Sequence, residues 1–141
     1  MYAWQSDEIV ELAELHPDLR IIVDHIASPL YSTPEALTAW EKNLEQLAAS
    51  DNIVIKISSV ASYTEPTLKE VSYRVAQVAE AFGPDRCMVG SDFPVGGLPG
   101  LTFAEAYGQY RASLRSYSYD DQFKMFCGTA AQVYRIDVDR L

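Results

Sequence analysis

Three short apolar runs in this sequence each carry a polar residue near their C-terminal end. His25 follows IIVD, Lys56 follows IVI, and Asp92 follows MVGS. Histidine, lysine and aspartate exchange protons or hold ligands. A buried strand gains little in packing from ending on one of them. Asp92 is the sharpest case: RCMVGSDFPVG (86–96) stops at Ser91 and Asp92, with Phe93 and Pro94 directly behind. The end of a strand is a common place to keep a reactive carboxylate. Each residue also has a plainer reading. Aspartate caps turns, an isolated histidine can be a satisfied structural group, and lysine can snorkel out of a sheet. His25 and Asp92 at equivalent strand ends are more specific together than either is alone. Asp24 reads as a loop anchor facing the helices, and His16, in a helix-ending His-Pro, as structural.

The elements that would position these residues alternate helix and strand. QSDEIVELAEL (5–15) has helical apolar spacing, and His16-Pro17 ends it. LRIIVDH is a continuous apolar run of strand length, the pattern of a parallel sheet covered on both faces. Ser32 or Thr33 can cap a second helix, with Pro34 in its first turn and Leu37, Trp40, Leu44 and Leu47 on its stripe. Asp51-Asn52 turns the chain into IVIKIS, the next strand. A third helix starts near Thr67, carries Leu68, Val71, Val75, Val78 and Phe82 on one stripe, and stops at Gly83-Pro84. The strand before Asp92 follows. After Gly100 the pattern is helical to the end, and its tyrosines and phenylalanines read as core. Such alternation implies βαβ crossovers and a parallel sheet, in which ligands meet the carboxyl ends of the strands.

Composition narrows the function classes. The 141 residues are 48% hydrophobic, enough for one domain with a core. Net charge is −9, from 20 acidic and 11 basic residues, with no basic run for nucleic acid. A small soluble substrate is expected, with neither nucleic acid nor membrane as partner. Cys87 and Cys127 form no CxxC pair and read as reduced thiols of a cytoplasmic protein. GGLPG (96–100) lacks the GxGxxG spacing and reads as a flexible mouth loop. No nucleophile elbow or Walker motif is present.

HPDLRIIVDHIASP, IVIKISSV, GPDRCMVGSDFPV and CGTAAQVYRI together resemble the C-terminal part of the amidohydrolase-related family, which includes metal-dependent hydrolases, sugar and dicarboxylate lactonases and some decarboxylases. Its pattern is similar to HPDLRxVxDHxGxP, then KLSG, then GxDRxMxGSDWP, then GNAARLY. All four blocks occur here in order, across nearly the whole chain. The resemblance implies α/β architecture: part of a (β/α)8 TIM barrel, with about three parallel strands, six to eight, and flanking helices.

The resemblance also implies roles. His25 matches the strand-six histidine, a metal ligand or substrate-polarising group. Asp92 matches the strand-eight aspartate, a metal ligand, a general base for water, or both. Lys56 matches the KLSG lysine and is carried over as substrate-binding. One divalent metal ion, zinc or similar, is the implied cofactor. The implied reaction is water attack on a lactone or amide carbonyl; a catalytically silent structural or binding module and a decarboxylase are the alternatives.

Departures from the pattern are Ala27 and Ser59 for two glycines, Phe93 for the tryptophan and Thr129 for the asparagine. The family's HxH pair on strand one is absent from residues 1–141, which hold two histidines in all. Residues 1–141 are therefore expected to be the C-terminal portion of a barrel, partnered by a missing N-terminal part or by self-association, and inactive alone.

Overall fold

The computed structural model describes residues 5–28, 33–60, 67–95 and 100–137. Along them run α1 (Ser6–Leu15), β1 (Ile21–Val23), α2 (Pro34–Ala48), β2 (Ile53–Ile57), α3 (Leu68–Phe82), β3 (Cys87–Val89), α4 (Phe103–Ser113), α5 (Tyr119–Phe123) and α6 (Thr129–Tyr134). A 3-10 turn spans Pro84–Arg86, and a π-helical turn, Lys124–Gly128, joins α5 to α6. The three strands form one parallel sheet in the order β1-β2-β3. The register aligns Val23 with Ile55, and Ile55 with Cys87.

Local chemistry explains the helix starts. Thr33 caps α2, its hydroxyl accepting from Ala36 N–H, with Pro34 just inside. The expected alternative cap, Ser32, lies outside the described residues, as do residues 96–99 of the glycine-rich loop. Thr67 and Glu70 form a capping box at α3, and Thr102 and Glu105 form one at α4. Gly83, at φ 72°, ends α3 in a backbone conformation that suits glycine. Asn52 fastens α1 to the sheet: its amide donates to the carbonyls of Ala13, His16 and Leu19 at 3.0–3.1 Å.

The core lies between one face of the sheet and α2 and α3. Val23, Ile53, Ile55, Ile57 and Cys87 pack there with Trp40, Leu44, Leu47, Val71, Val75, Val78 and Phe82. Val54, Lys56 and Met88 alternate onto the other face. Val54 and Met88 are buried as well, so the strands carry apolar residues on both faces, which is why they read as continuous runs. Both cysteines are free thiols, and burial pushes the Cys87 thiol up to about 12.

Two expectations need correction. The run LRIIVDH is longer than its strand, because the backbone leaves the sheet after Val23. The aromatics after Gly100 are not uniformly core. Tyr110 and Leu114 are buried, but Phe103 and Phe123 are half-exposed. Phe103 stacks on Tyr107 at 4.7 Å between centroids, so aromatic stacking at the surface uses the same spacing as burial. No helix among the described residues is long and apolar enough to cross a membrane.

Candidate active site

Each strand ends by turning into the left-handed region. His25 follows β1 at φ 57°, Ser59 follows β2 at φ 55°, and Asp92 follows β3 at φ 52°. Side chains rarely accept this conformation, at roughly 1–2 kcal/mol per residue. After β1 the turn is four residues long, with Ile26, Ala27 and Ser28 also at positive φ. For β-branched Ile26 this is a genuine outlier. The surroundings hold it there. Ser28 N–H donates to the His25 carbonyl at 2.8 Å. The indole N–H of Trp40 donates to the Ile26 carbonyl at 2.7 Å. Ile26 and Ala27 are fully buried. Strain of this kind persists only where packing over-determines it, and it clusters at sites of function.

The turns bring His25 and Asp92 together. His25 Nε2 lies 3.8 Å from Asp92 Oδ1, with side-chain exposures of 27% and 22%. Each is held on its far side by a serine from the end of β2. Ser58 Oγ is 2.8 Å from His25 Nδ1. Ser59 donates to Asp92 Oδ2 at 2.7 Å. The turn carrying both serines is gripped from two helices. The phenol of Tyr110, on α4, is hydrogen-bonded by the backbone of Val60 and Ser59, and burial raises its pKa. Arg74, on α3, donates from Nη1 to the Val60 carbonyl at 3.5 Å. A cis Phe93-Pro94 bond follows Asp92.

Lys56 is placed differently. It is on the strand between His25 and Asp92, but its Nζ bonds Asp24 Oδ1 at 2.9 Å and lies 5.5 Å from the centre of the Tyr134 ring. The Tyr134 phenol first, and the Asp24 carboxylate with it, raise the lysine's pKa. Asp24 is thereby held by Lys56 of the neighbouring strand, and Lys56 in turn lies against Tyr134 of α6.

Ser58, Ser59 and Tyr110 were not legible as site residues. A serine pair after a strand reads as a turn signal, and Tyr110 reads as core, which it also is. A crevice of about 480 Å³ between α4 and α5, lined by Tyr107, Arg111, Phe123 and Phe126 among others, contains none of the site residues.

Imidazole nitrogen and carboxylate oxygen are the donors a zinc-type ion takes. Their 3.8 Å separation is within the reach of one shared ion, given ligand bonds of about 2.0–2.1 Å. A catalytic zinc usually has three protein ligands. Among the described residues no group of three or more His, Cys, Asp or Glu is placed to hold a metal. The pair fits as part of a ligand set.

Comparison with known proteins agrees with this architecture. The family model described as Amidohydrolase matches residues 1–136. An L-fucono-1,5-lactonase of Burkholderia ambifaria is 33% identical, over 92% of this chain and 46% of the relative. An uncharacterized protein of Sinorhizobium fredii is 29% identical, over 96% of this chain and 46% of the relative. In three dimensions the chain is similar to an amidohydrolase of Burkholderia multivorans solved with bound zinc, at TM-score 0.89 and 25% identity, covering 97% of this chain and 51% of that one. A hydrolase of 2-pyrone-4,6-dicarboxylic acid from Pseudomonas putida shares the fold at TM-score 0.72. The chain thus spans about half the length of the relatives it matches. Its three parallel strands and flanking helices are a part of their barrel.

Proposed function

The chain belongs to the amidohydrolase family, and from that premise we propose that it carries the strand-six and strand-eight part of a hydrolase site directing water onto a lactone or amide carbonyl. The observation that carries this is the meeting of His25 and Asp92 at the ends of the two strands that flank β2, 3.8 Å apart and partly open to solvent. Asp92 acts as general base. Its carboxylate takes a proton from the attacking water, and Ser59 keeps the other oxygen occupied so that Oδ1 faces the mouth. With no ion in the gap, His25 Nε2–H orients the carbonyl oxygen and stabilises the charge that develops on it; with one bound, that task passes from the ring to the ion. His25 Nε2 and Asp92 Oδ1 would hold a divalent cation, zinc being the one seen in a structural relative. Such an ion, when bound, polarises the carbonyl and acidifies water. Lys56 serves the substrate side of the pocket. The lactonase names among the relatives favour a cyclic ester over an amide.

The proposal includes a partner. β1 and β3 are the outer strands of the sheet, and each leaves one edge without a strand among the described residues. Such edges recruit strands. We place residues 1–141 as the C-terminal portion of a barrel whose other strands supply the remaining ligands; the isolated chain self-associates instead. Two free thiols suit a reducing cytoplasm. The test is a sugar-lactone hydrolysis assay, with metal analysis, on the chain alone and on the chain joined to the missing strands of a relative. Turnover only in the joined protein supports the proposal. A joined, folded and metal-loaded protein with no turnover on lactones or amides favours the catalytically silent module.

A further inference from the structure

The adjacent serines at the end of β2 each hold one member of the His25–Asp92 pair. We propose that Ser58 and Ser59 are positioning residues, Ser58 fixing the plane of His25 and Ser59 the rotamer of Asp92, so that Nε2 and Oδ1 face each other across one gap.

The geometry divides the labour cleanly. Of the two ring nitrogens, Ser58 bonds the one that faces away from the carboxylate, at 2.8 Å. Of the two carboxylate oxygens, Ser59 bonds the one that faces away from the ring, at 2.7 Å. What remains between the two groups is Nε2 and Oδ1, at 3.8 Å, too long for a hydrogen bond and open to a third atom. Neighbouring residues of an extended strand point to opposite sides, so one strand end could not serve both partners. The left-handed backbone of Ser59, at φ 55°, breaks that alternation and lets successive hydroxyls reach both. Glycine would adopt this conformation more readily, but it has no hydroxyl to hold Asp92. Tyr110 and Arg74 fix the turn from behind, so the hydroxyls are delivered from a rigid base.

A hydroxyl suits His25 for a further reason. It both donates and accepts. With Asp92 facing Nε2, the neutral ring is favoured with its proton on Nε2, and Ser58 then donates into Nδ1. When a cation takes the Nε2 lone pair, the ring proton sits on Nδ1 and Ser58 accepts it. A carbonyl in the same place would serve only the second state. Ser58 therefore lets one ring work both against the carboxylate and beside it.

The experiment is nitrogen-15 NMR of the histidine rings in the full chain at about pH 9, where imidazoles are ordinarily neutral. The chain has two histidines, and exposed His16 is the internal reference, expected to average both tautomers. His25 is expected in one tautomer, protonated on Nε2. Ser58→Ala is expected to keep that tautomer but let the ring turn, which a crystal structure of the variant would show as a displaced or split imidazole. Ser59→Gly, which suits the backbone and should fold, is expected to leave the Ser58 bond but release Asp92, whose carboxylate a crystal structure would show turned away from Nε2. Averaged tautomers at His25 in the unaltered chain overturn the facing of Nε2 and Oδ1, and an imidazole unmoved in Ser58→Ala overturns the role of Ser58. An unmoved Asp92 in Ser59→Gly overturns that of Ser59. The inference takes its purpose from the proposed hydrolase, yet the two fail separately: these spectra need no turnover, and absent turnover does not change them.

Discussion

Val23, Ile55 and Cys87 are aligned across the sheet by its register; His25, Ser59 and Asp92 come together one short step further along the same three strands. The two rows are built in opposite ways. The first is fully buried and extended, and its partners are apolar side chains of α2 and α3. Any apolar residue of similar volume would serve there at a cost usually under about 1.5 kcal/mol. The second row has all three residues at positive φ, with His25 and Asp92 partly open and Ser59 buried, joined through single atoms at fixed distances. A core row tolerates exchange because non-directional burial holds it. The mouth row accepts backbone strain because the aim of each side chain matters more than its fit.

The largest expected effect separates chemistry from packing at Asp92. In a protein whose barrel is complete, Asp92→Asn keeps the shape and can still accept from Ser59, but it cannot take a proton. Turnover should fall by roughly 10²–10⁴ while stability changes by less than about 1 kcal/mol. Lactone hydrolysis and urea unfolding on the same preparation measure both. Activity near that of the unaltered protein removes Asp92 from the chemistry.

Ile55→Ala is the complementary break in the first row. The side chain is fully buried between β2 and the helices, and its loss leaves a cavity. Stability should drop by about 2–5 kcal/mol in urea unfolding. A loss below about 1 kcal/mol would mean that the row is not packed as tightly as its burial implies.

The two rows also differ in how far the sequence reveals them. Ile53, Val54 and Ile55 announce their strand through continuous apolarity. Thr67 with Glu70, and Gly83 behind Phe82, mark both ends of α3 through local hydrogen bonding and backbone freedom. These are short-range effects, legible without the fold. His25 and Asp92 stood out as candidates because they end apolar runs. Their partners did not, because nothing local says that the chain turns left-handed at Ser59 or at Ile26. Those turns are imposed by tertiary contacts: Trp40, fourteen residues away, on the Ile26 carbonyl, and Tyr110 on the backbone of Ser59 and Val60. The π turn at Lys124–Gly128 was hidden too, since the residues around it keep ordinary helical spacing. The Asp24–Lys56 pair was hidden because its members are thirty-two residues apart and meet only once β1 and β2 lie side by side.

Trp40 links the two rows, since its ring lies in the core while its N–H holds the strained turn after β1. Trp40→Phe keeps an aromatic ring in the core and leaves the buried Ile26 carbonyl without that donor. The expected loss is about 1–3 kcal/mol, below that of Ile55→Ala at its upper end. The distinguishing measurement is amide hydrogen exchange. Ala27 and Ser28, whose amides close the turn onto Asp24 and His25, should exchange faster, while the amides of β2 should be protected as before. Uniform acceleration across the sheet would show that Trp40 supports the core alone.

The smallest effect sharpens the comparison most directly, because it uses the same backbone conformation away from the mouth. Arg135 ends α6 at φ 56°, close to the 55° of Ser59. Its amide bonds the Gln132 carbonyl, and Ile136 N–H bonds the Ala131 carbonyl at 2.8 Å. This is a helix stop of the kind that usually carries glycine at the left-handed position. Arg135 is exposed, so its side chain gives up little burial when removed. Arg135→Gly should therefore raise stability by about 0.5–1 kcal/mol, as removal of the Cβ penalty outweighs the added freedom of the unfolded chain. Turnover of the completed enzyme should not change. Ser59→Gly relieves the same dihedral but takes a hydroxyl from Asp92. If strain at the mouth serves function, the two variants should part: both as stable as the unaltered chain or more so, only one with Asp92 still in place. Parallel behaviour in stability and in the position of Asp92 would mean that positive φ at Ser59 is another chain-reversal geometry with no bearing on the site.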